Sequence, residues 1–328
     1  MSLSRRDFLR VWATGLLAGR MGVTFAGAAL PPLAIDSGAR QLRFAGRALE
    51  MSTVHAFPHP DAPPVRTVHP EAVLSLMEAE DGWFRVVDGG YVRARQVQPM
   101  IPYTPPPVYA RVDAPFWAEV VAPVTVARRW PLPDAPALGR LGYGATARAV
   151  DAQRDDWGHL WYRDEAGGGW VQALHVRRLD EKDLTPINPG AAGKRLLVTV
   201  ADEATPARAH LSAWEGDVCV FDAPICAGRA FLEEVGRAFT VECRQPALKV
   251  GARLATCRVA EQCVYLGAPW AVRAGALTLH GAYWHNDFGS LRADIEGRGI
   301  ALAPPAARWI YRWVEPGTTP VQLLQGES

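Results

Sequence analysis

The same aromatic hairpin is written twice in this chain, and no other feature constrains the fold as tightly. Asp81-Gly82-Trp83-Phe84-Arg85-Val86-Val87-Asp88-Gly89-Gly90-Tyr91-Val92 is echoed by Leu160-Trp161-Tyr162-Arg163-Asp164-Glu165-Ala166-Gly167-Gly168-Gly169-Trp170-Val171. In each copy an aromatic-rich strand enters a glycine turn and returns through an aromatic-Val pair, as an antiparallel ribbon requires. The echo continues, since Val97 follows Val92 at the offset at which Val176 follows Val171. Short strands, glycine turns and paired aromatics over roughly 60–70 residues per copy predict two small half-open barrels. Trp83, Trp161 and Trp170 can either fill the two cores or face a ligand.

Proline marks the edges of these units. Met100-Ile101-Pro102-Tyr103-Thr104-Pro105-Pro106-Pro107 separates the copies, and proline at this density enforces extended chain and semi-rigid spacing. A second boundary lies at Leu184-Thr185-Pro186-Ile187-Asn188-Pro189-Gly190, after which the pattern changes. The expected organisation is a module at 41–100, a linker at 101–112, a second module at 113–182 and a larger domain at 190–328. The chain is therefore expected to be mainly β. Its 328 residues, 49% hydrophobic, are enough to build such cores. A net charge of +1, with no cluster of basic residues interleaved with aromatics beyond the N-terminus, gives no electrostatic case for nucleic acid.

The N-terminus reads as an address. Ser4-Arg5-Arg6-Asp7-Phe8-Leu9-Arg10 resembles the twin-arginine export signal, followed by an apolar run from Val11 to Gly19 and a small-x-small site at Ala26-Gly27-Ala28. The run is too short for a stable membrane span, and Arg20 interrupts it. Residues 1–28 are thus expected to be removed, which takes the charge from +1 to −2, and residues 29–40 read as a tether. The remaining chain is expected outside the cytoplasmic membrane, in the cell wall.

The densest chemistry lies in residues 277–304. Leu277 and Leu279 alternate with polar neighbours as a strand that delivers His280 to its end, where an imidazole can be held rigidly with one ring nitrogen open. Tyr283, Trp284, His285 and Asn286 follow at once, supplying the flat walls and polar anchors that a peptide groove needs. Elsewhere the histidines are less informative: His55 and His59 sit beside prolines in an exposed loop, and His210 alternates with Leu211 as a solvent-facing strand residue. No cofactor and no metal site is expected.

His280-Gly281-Ala282-Tyr283-Trp284-His285-Asn286-Asp287-Phe288-Gly289 resembles the first half of the L,D-transpeptidase (YkuD-type) signature, His-Gly-Thr-Tyr-Trp-His-Asn-x-Phe-Gly. In that family the signature continues as Ser-His-Gly-Cys-Val-Asn-Leu-Ser-Pro and then a helix that often reads Ala-Arg-Trp. Here the helix is present in Ala303-Pro304-Pro305-Ala306-Ala307-Arg308-Trp309, and Leu302 stands at the family's Leu. The middle departs from the pattern. Counting back from Pro304 puts Gly299 at the family cysteine, Gly297 and Arg298 at its His-Gly and Ala301 at its Asn, with a loop about three residues longer.

The resemblance extends upstream. Glu215-Gly216-Asp217 is similar to the turn of the family's opening hairpin, Phe239 to its Thr-Pro-x-Gly-x-Phe strand, and Gly267-Ala268-Pro269-Trp270 to its Val-Pro-Trp. It implies an L,D-transpeptidase-type β-sandwich, with peptidoglycan stem peptides or a wall polymer as partner, behind two repeated modules that each resemble a bacterial SH3-type module. It assigns His280 as the base, the Gly281 carbonyl as the group that orients it, and Tyr283, Trp284, His285 and Asn286 to the donor groove.

A thiolate activated by an imidazole forms the acyl-enzyme, and glycine cannot attack. From Leu291 to Gly317 there is no Ser, Thr or Cys, so a slip of one or two residues recovers no nucleophile. Ser290 is the nearest hydroxyl and reads as a turn residue. Cys226 reads as strand packing, and Cys257 and Cys263 could bridge, although small buried hydrophobes are the plainer role for all five cysteines. Three readings stay open: a degenerate relative that binds the wall without turnover, a working enzyme with another nucleophile such as Ser290 or a cysteine from another strand, and a structural envelope protein using the old groove as a binding surface. The new charges Glu296 and Arg298 at the nucleophile turn favour the non-catalytic readings.

Overall fold

The computed structural model describes residues 43–78, 82–166, 169–201, 208–252, 263–292 and 299–326. The export signal, the tether, Cys257 and the charged turn with Glu296, Gly297 and Arg298 lie outside the described residues. The protein is mainly β, as expected. It divides into two compact units, residues 1–102 and 103–328.

The first unit is one sheet. Its strands are β1 (Arg43–Ala48), β2 (Ser52–His55), β3 (Pro64–Val68), β4 (Val73–Glu78), β5 (Trp83–Val86), β6 (Tyr91–Arg93) and β7 (Val97–Met100), arranged β3-β2-β6-β5-β4-β1-β7. Alternation places Val54, Leu74, Leu76, Val86, Val92 and Val97 in its core. Trp83 is buried, edge-on to His55 and beneath the Arg93 guanidinium.

The second unit opens with β8 (Phe116–Val120), β9 (Val124–Arg128), β10 (Ala137–Gly142), β11 (Thr146–Arg154), β12 (Leu160–Asp164), β13 (Trp170–Gln172) and β14 (Val176–Arg178). Their order, β10-β9-β13-β12-β11-β8-β14, is that of the first sheet shifted by seven, and in both a short 3-10 turn (Ala94–Gln96, Ala173–His175) precedes the last strand. Trp161 is buried here, whereas Trp170 is half-buried. The proline-rich stretch after Pro102 lies along this module: the Tyr103 hydroxyl donates to the Leu174 carbonyl at 2.9 Å, and the Tyr109 N–H donates to the Tyr162 hydroxyl at 2.6 Å. The expected spacer is thus docked over these residues, because its tyrosines find partners there.

The remaining strands are β15 (Arg195–Ala201), β16 (Arg208–Glu215), β17 (Val218–Pro224), β18 (Cys226–Gly228), β19 (Ala238–Ala252), β20 (Cys263–Ala274), β21 (Leu277–Gly281), β22 (Ser290–Arg292), β23 (Gly299–Leu302) and β24 (Pro320–Gln325). They run β17-β16-β15-β24-β19-β20-β21-β23-β18-β22. The start of β19 pairs with β24 and the rest of it with β20, so one long strand joins two half-sheets. Both halves feed a single core, with Leu196, Val198 and Leu211 from one and Val272, Leu279, Ile300 and Leu302 from the other. Helix α2 (Pro304–Trp313) completes it; its two prolines occupy the first turn, where no backbone donor is lost, and it buries Ala307, Ile310 and Trp313.

The second module and this last sheet are fused rather than tethered. Leu266 of β20 and Tyr283 belong to the core of the second module, and Trp117 of β8 packs on the core of the last sheet. The backbones meet closely, since a Cβ at Gly267 would run into the Thr146 carbonyl oxygen. A buried ion cluster adds to the joint. Asp183, in the short helix α1 (Glu181–Leu184), accepts hydrogen bonds from Arg177 Nη1 at 2.5 Å, from Arg308 of α2, and from the Asp180 N–H at 2.9 Å. Arg177 also donates to Glu119 at 2.6 Å. Burial pushes the Asp183 carboxyl up, but the hydrogen bond from Arg177 and the charge of Arg308 outweigh it and hold the pKa at about 2.

Candidate active site

The site grows out of two parallel strands. In β21, Leu277 and Leu279 enter the core, which leaves Thr278 and His280 on the opposite face. β23 pairs with it in parallel, Thr278 against Gly299 and His280 against Ala301. Ile300 and Leu302 follow the leucines inward, so Gly299 and Ala301 share the face of His280. Beyond Ala301 the row continues to Cys226 of β18 and then to Ser290 of β22.

His280 is buried and its orientation is set locally. Its Nδ1–H donates to the Gly281 carbonyl at 3.2 Å; a carbonyl can only accept, so the neutral ring carries its proton on Nδ1 and leaves the lone pair on Nε2. The Trp284 indole stacks on the ring at 5.7 Å with 29° between planes. Glycine is required at 281, because a Cβ there would meet Pro269 Cγ at 2.7 Å. Burial draws the His280 pKa below the ordinary imidazole value, against a smaller upward pull from the Gly281 carbonyl. The ring is therefore neutral at pH 7 and basic at Nε2. NMR titration of its ring protons is expected to show a midpoint below the ordinary imidazole value; a midpoint above that value would contradict this environment.

What Nε2 faces is decided at position 299. A Cβ built on Gly299 would lie 3.5 Å from Nε2, and among the described residues beyond its immediate chain neighbours no other heavy atom comes within 4 Å of that Cβ. A side chain at that position would stand against the basic nitrogen, and glycine supplies none. Two other nucleophile candidates, Cys226 and Ser290, lie farther along the same row. Cys226 is two strand spacings from His280 and Ser290 three, or about 10 and 14 Å between backbones. Among the described residues the ring's one hydrogen bond is to Gly281.

The four expected groove residues divide. Trp284 is half-buried and covers His280, packing also against Cys226, Ala282 and Ala301. His285 is buried, with its ring 4.8 Å from that of Phe288, and Asn286 is half-buried in the turn that follows. That turn is anchored by the Gly289 N–H donating to the Ile225 carbonyl at 2.7 Å and the Ala209 N–H donating to the Gly289 carbonyl at 3.1 Å. Tyr283 goes elsewhere. It is 3% exposed, in the core of the second module, where its hydroxyl donates to the carbonyls of Leu266 at 2.8 Å and Arg140 at 3.2 Å. The expectation that it lines the groove is corrected accordingly: a phenol with two buried carbonyls in reach is held at the seam. The glycines that permit this close approach, Gly139 and Gly267, were the sequence signal for it. His210 is exposed on β16, 3.5 Å from Asp222 and remote from the site. Among the described residues no group of His, Cys, Asp and Glu is placed to hold a metal, and no helix is long and apolar enough to cross a membrane.

No protein-family model matches the chain, and no curated protein sequence matches it significantly. Among solved structures it is similar to the catalytic domain of an Enterococcus faecium L,D-transpeptidase, at 12% identity over 41% of this chain and 99% of that one, with a TM-score of 0.31. It is similar to an L,D-transpeptidase from Mycobacterium smegmatis, at 15% identity over 68% of this chain and 95% of that one, with a TM-score of 0.30. A Mycobacterium tuberculosis H37Rv L,D-transpeptidase gives 15% identity over 54% and 71%, with a TM-score of 0.29.

Proposed function

We propose that this is an exported cell-wall protein of L,D-transpeptidase descent that binds peptidoglycan stem peptides in the His280 groove without forming an acyl-enzyme. The observation that carries the reading is the 3.5 Å between His280 Nε2 and the empty Cβ position of Gly299. A buried imidazole held by the Gly281 carbonyl and stacked on by the Trp284 indole, with no side chain at position 299 for it to deprotonate, supports the reading. The signature from His280 to Gly289 supports the descent, the two same-order modules support an SH3-like, wall-directed role, and the paired arginines Arg5 and Arg6 support twin-arginine export. The distances of Ser290 and Cys226 from His280 weigh against a displaced nucleophile.

Two measurements test it. Incubation with imipenem followed by intact-mass spectrometry is expected to leave the protein unmodified; a stable adduct refutes the non-catalytic reading. Sedimentation with purified sacculi is expected to retain it, and a protein left in the supernatant refutes wall binding.

A further inference from the structure

The tip of the β11–β12 hairpin is locked by one carboxylate. The Asp155 side chain is fully buried. Its Oδ1 accepts the N–H groups of Trp157 at 3.0 Å and His159 at 2.8 Å, and its Oδ2 accepts His159 Nδ1–H at 2.9 Å and Trp161 Nε1–H at 3.0 Å. The Asp155 N–H donates to the His159 carbonyl and the Gly158 N–H donates to the Asp155 carbonyl, while Arg154 Nη1 reaches the Gly158 carbonyl at 2.7 Å. Gly158 takes φ +84°, which closes the turn.

On this rigid frame the Trp157 indole is 64% exposed, and Arg154, Asp156 and His159 around it are exposed as well. The fold does not need an aromatic there. In the first module, which has the same strand order, the sequence joining β4 to β5, Ala79-Glu80-Asp81-Gly82, holds no aromatic. An indole that fills no core, presented on a turn that binding would not have to order, is built for contact.

We infer that residues 154–159 form a saccharide-stacking platform, with the Trp157 face against the C–H face of a pyranose in a wall glycan. The inference rests on the wall-binding reading above and extends it from peptide to sugar. A pyranose offers an apolar face and a rim of hydroxyls. The negative π-face of indole suits polarised C–H bonds, and the guanidinium, carboxylate and imidazole alongside suit the rim. A lipid surface would call for apolar neighbours instead of these charges.

The test uses the full exported chain with four probes: whole sacculi, peptide-free glycan strands, glycan-free stem peptides and phosphatidylglycerol vesicles. Trp157→Ala is expected to weaken binding to glycan strands about tenfold, with Trp157→Phe retaining most of it, stem-peptide binding unchanged and the melting temperature unmoved. Equal binding of glycan strands by wild type and Trp157→Ala overturns the platform. So does wild type that holds sacculi and stem peptides but not glycan strands, or a Trp157-dependent affinity for the vesicles. Failure of the wild type to bind whole sacculi overturns the wall reading itself.

Discussion

Gly299→Cys is expected to create a thiol that alkylates at pH 7 about tenfold faster than an unassisted cysteine, and to turn a protein inert to imipenem into one that acquires a covalent adduct. The new Cβ would sit at ordinary van der Waals distance from His280 Nε2 and, among the described residues beyond its immediate chain neighbours, touch nothing else within 4 Å; position 299 is outside the left-handed backbone region, so a side chain enters without strain. Its sulfur falls within reach of a nitrogen whose lone pair is already free of the Nδ1 proton. A neighbouring imidazole that accepts the thiol proton and stays as imidazolium lowers the thiol pKa from about 8.5 into the range of about 3.5–7.5. Iodoacetamide alkylation against pH, with peptide mapping to separate residue 299 from exposed Cys219, measures the effect. The acceleration is expected to vanish in Gly299→Cys/His280→Gln. An introduced thiol that reacts like a solvent-exposed one would mean that the gap beside Nε2 is not a vacated nucleophile position.

The second large effect lies away from the groove. Asp183→Asn removes the charge on which Arg177 and Arg308 converge, in a cluster where the Asp183 side chain is 3% exposed. Breaking one partner of a buried ion cluster leaves a desolvated guanidinium, at a cost of about 3–5 kcal/mol. Arg177 keeps Glu119, so the loss falls mainly on Arg308 and with it on α2. For a unit of this size the melting temperature should drop by roughly 10 °C. The pH dependence has a definite sign. Asp183 is about 2 when folded and near 3.8 when free, so its contribution is complete above pH 4 and is lost as pH falls toward 2. Urea melts of wild type and Asp183→Asn should converge over that interval; a constant gap would place the stabilisation outside this carboxylate.

Much of this was legible beforehand because it is written locally. Alternation at Leu277 and Leu279 shows the strand and the side on which His280 lies, and the doubled Gly-aromatic hairpin announces two sheets of one strand order. Counting back from Pro304 puts Gly299 at the family cysteine, and the parallel pairing of β21 with β23, Gly299 against Thr278, sets it on the face of His280. What sequence patterns do not carry is which apolar surfaces meet. Tyr283 reads as a groove residue because it follows His280, yet its environment comes from Arg140, 143 positions earlier, and from Leu266. Likewise the proline-rich stretch reads as a spacer from composition, while the Tyr103 hydroxyl and the Tyr109 N–H find acceptors on a module that comes later in the chain. Asp183 gives no signal at all, since its partners lie on elements whose packing only the fold decides.

The seam at Tyr283 bears on how the molecule can be dissected. A cut in the proline-rich stretch near residue 186 would look harmless on a map of domains, yet it would tear a shared apolar interior and strip Leu266, Tyr283 and Trp117 of their neighbours on both pieces. The smallest portable fragment that still holds His280 in its present setting begins at about Tyr103, so gene fusions and truncations that treat the middle module as an exchangeable adaptor would deliver the groove already damaged.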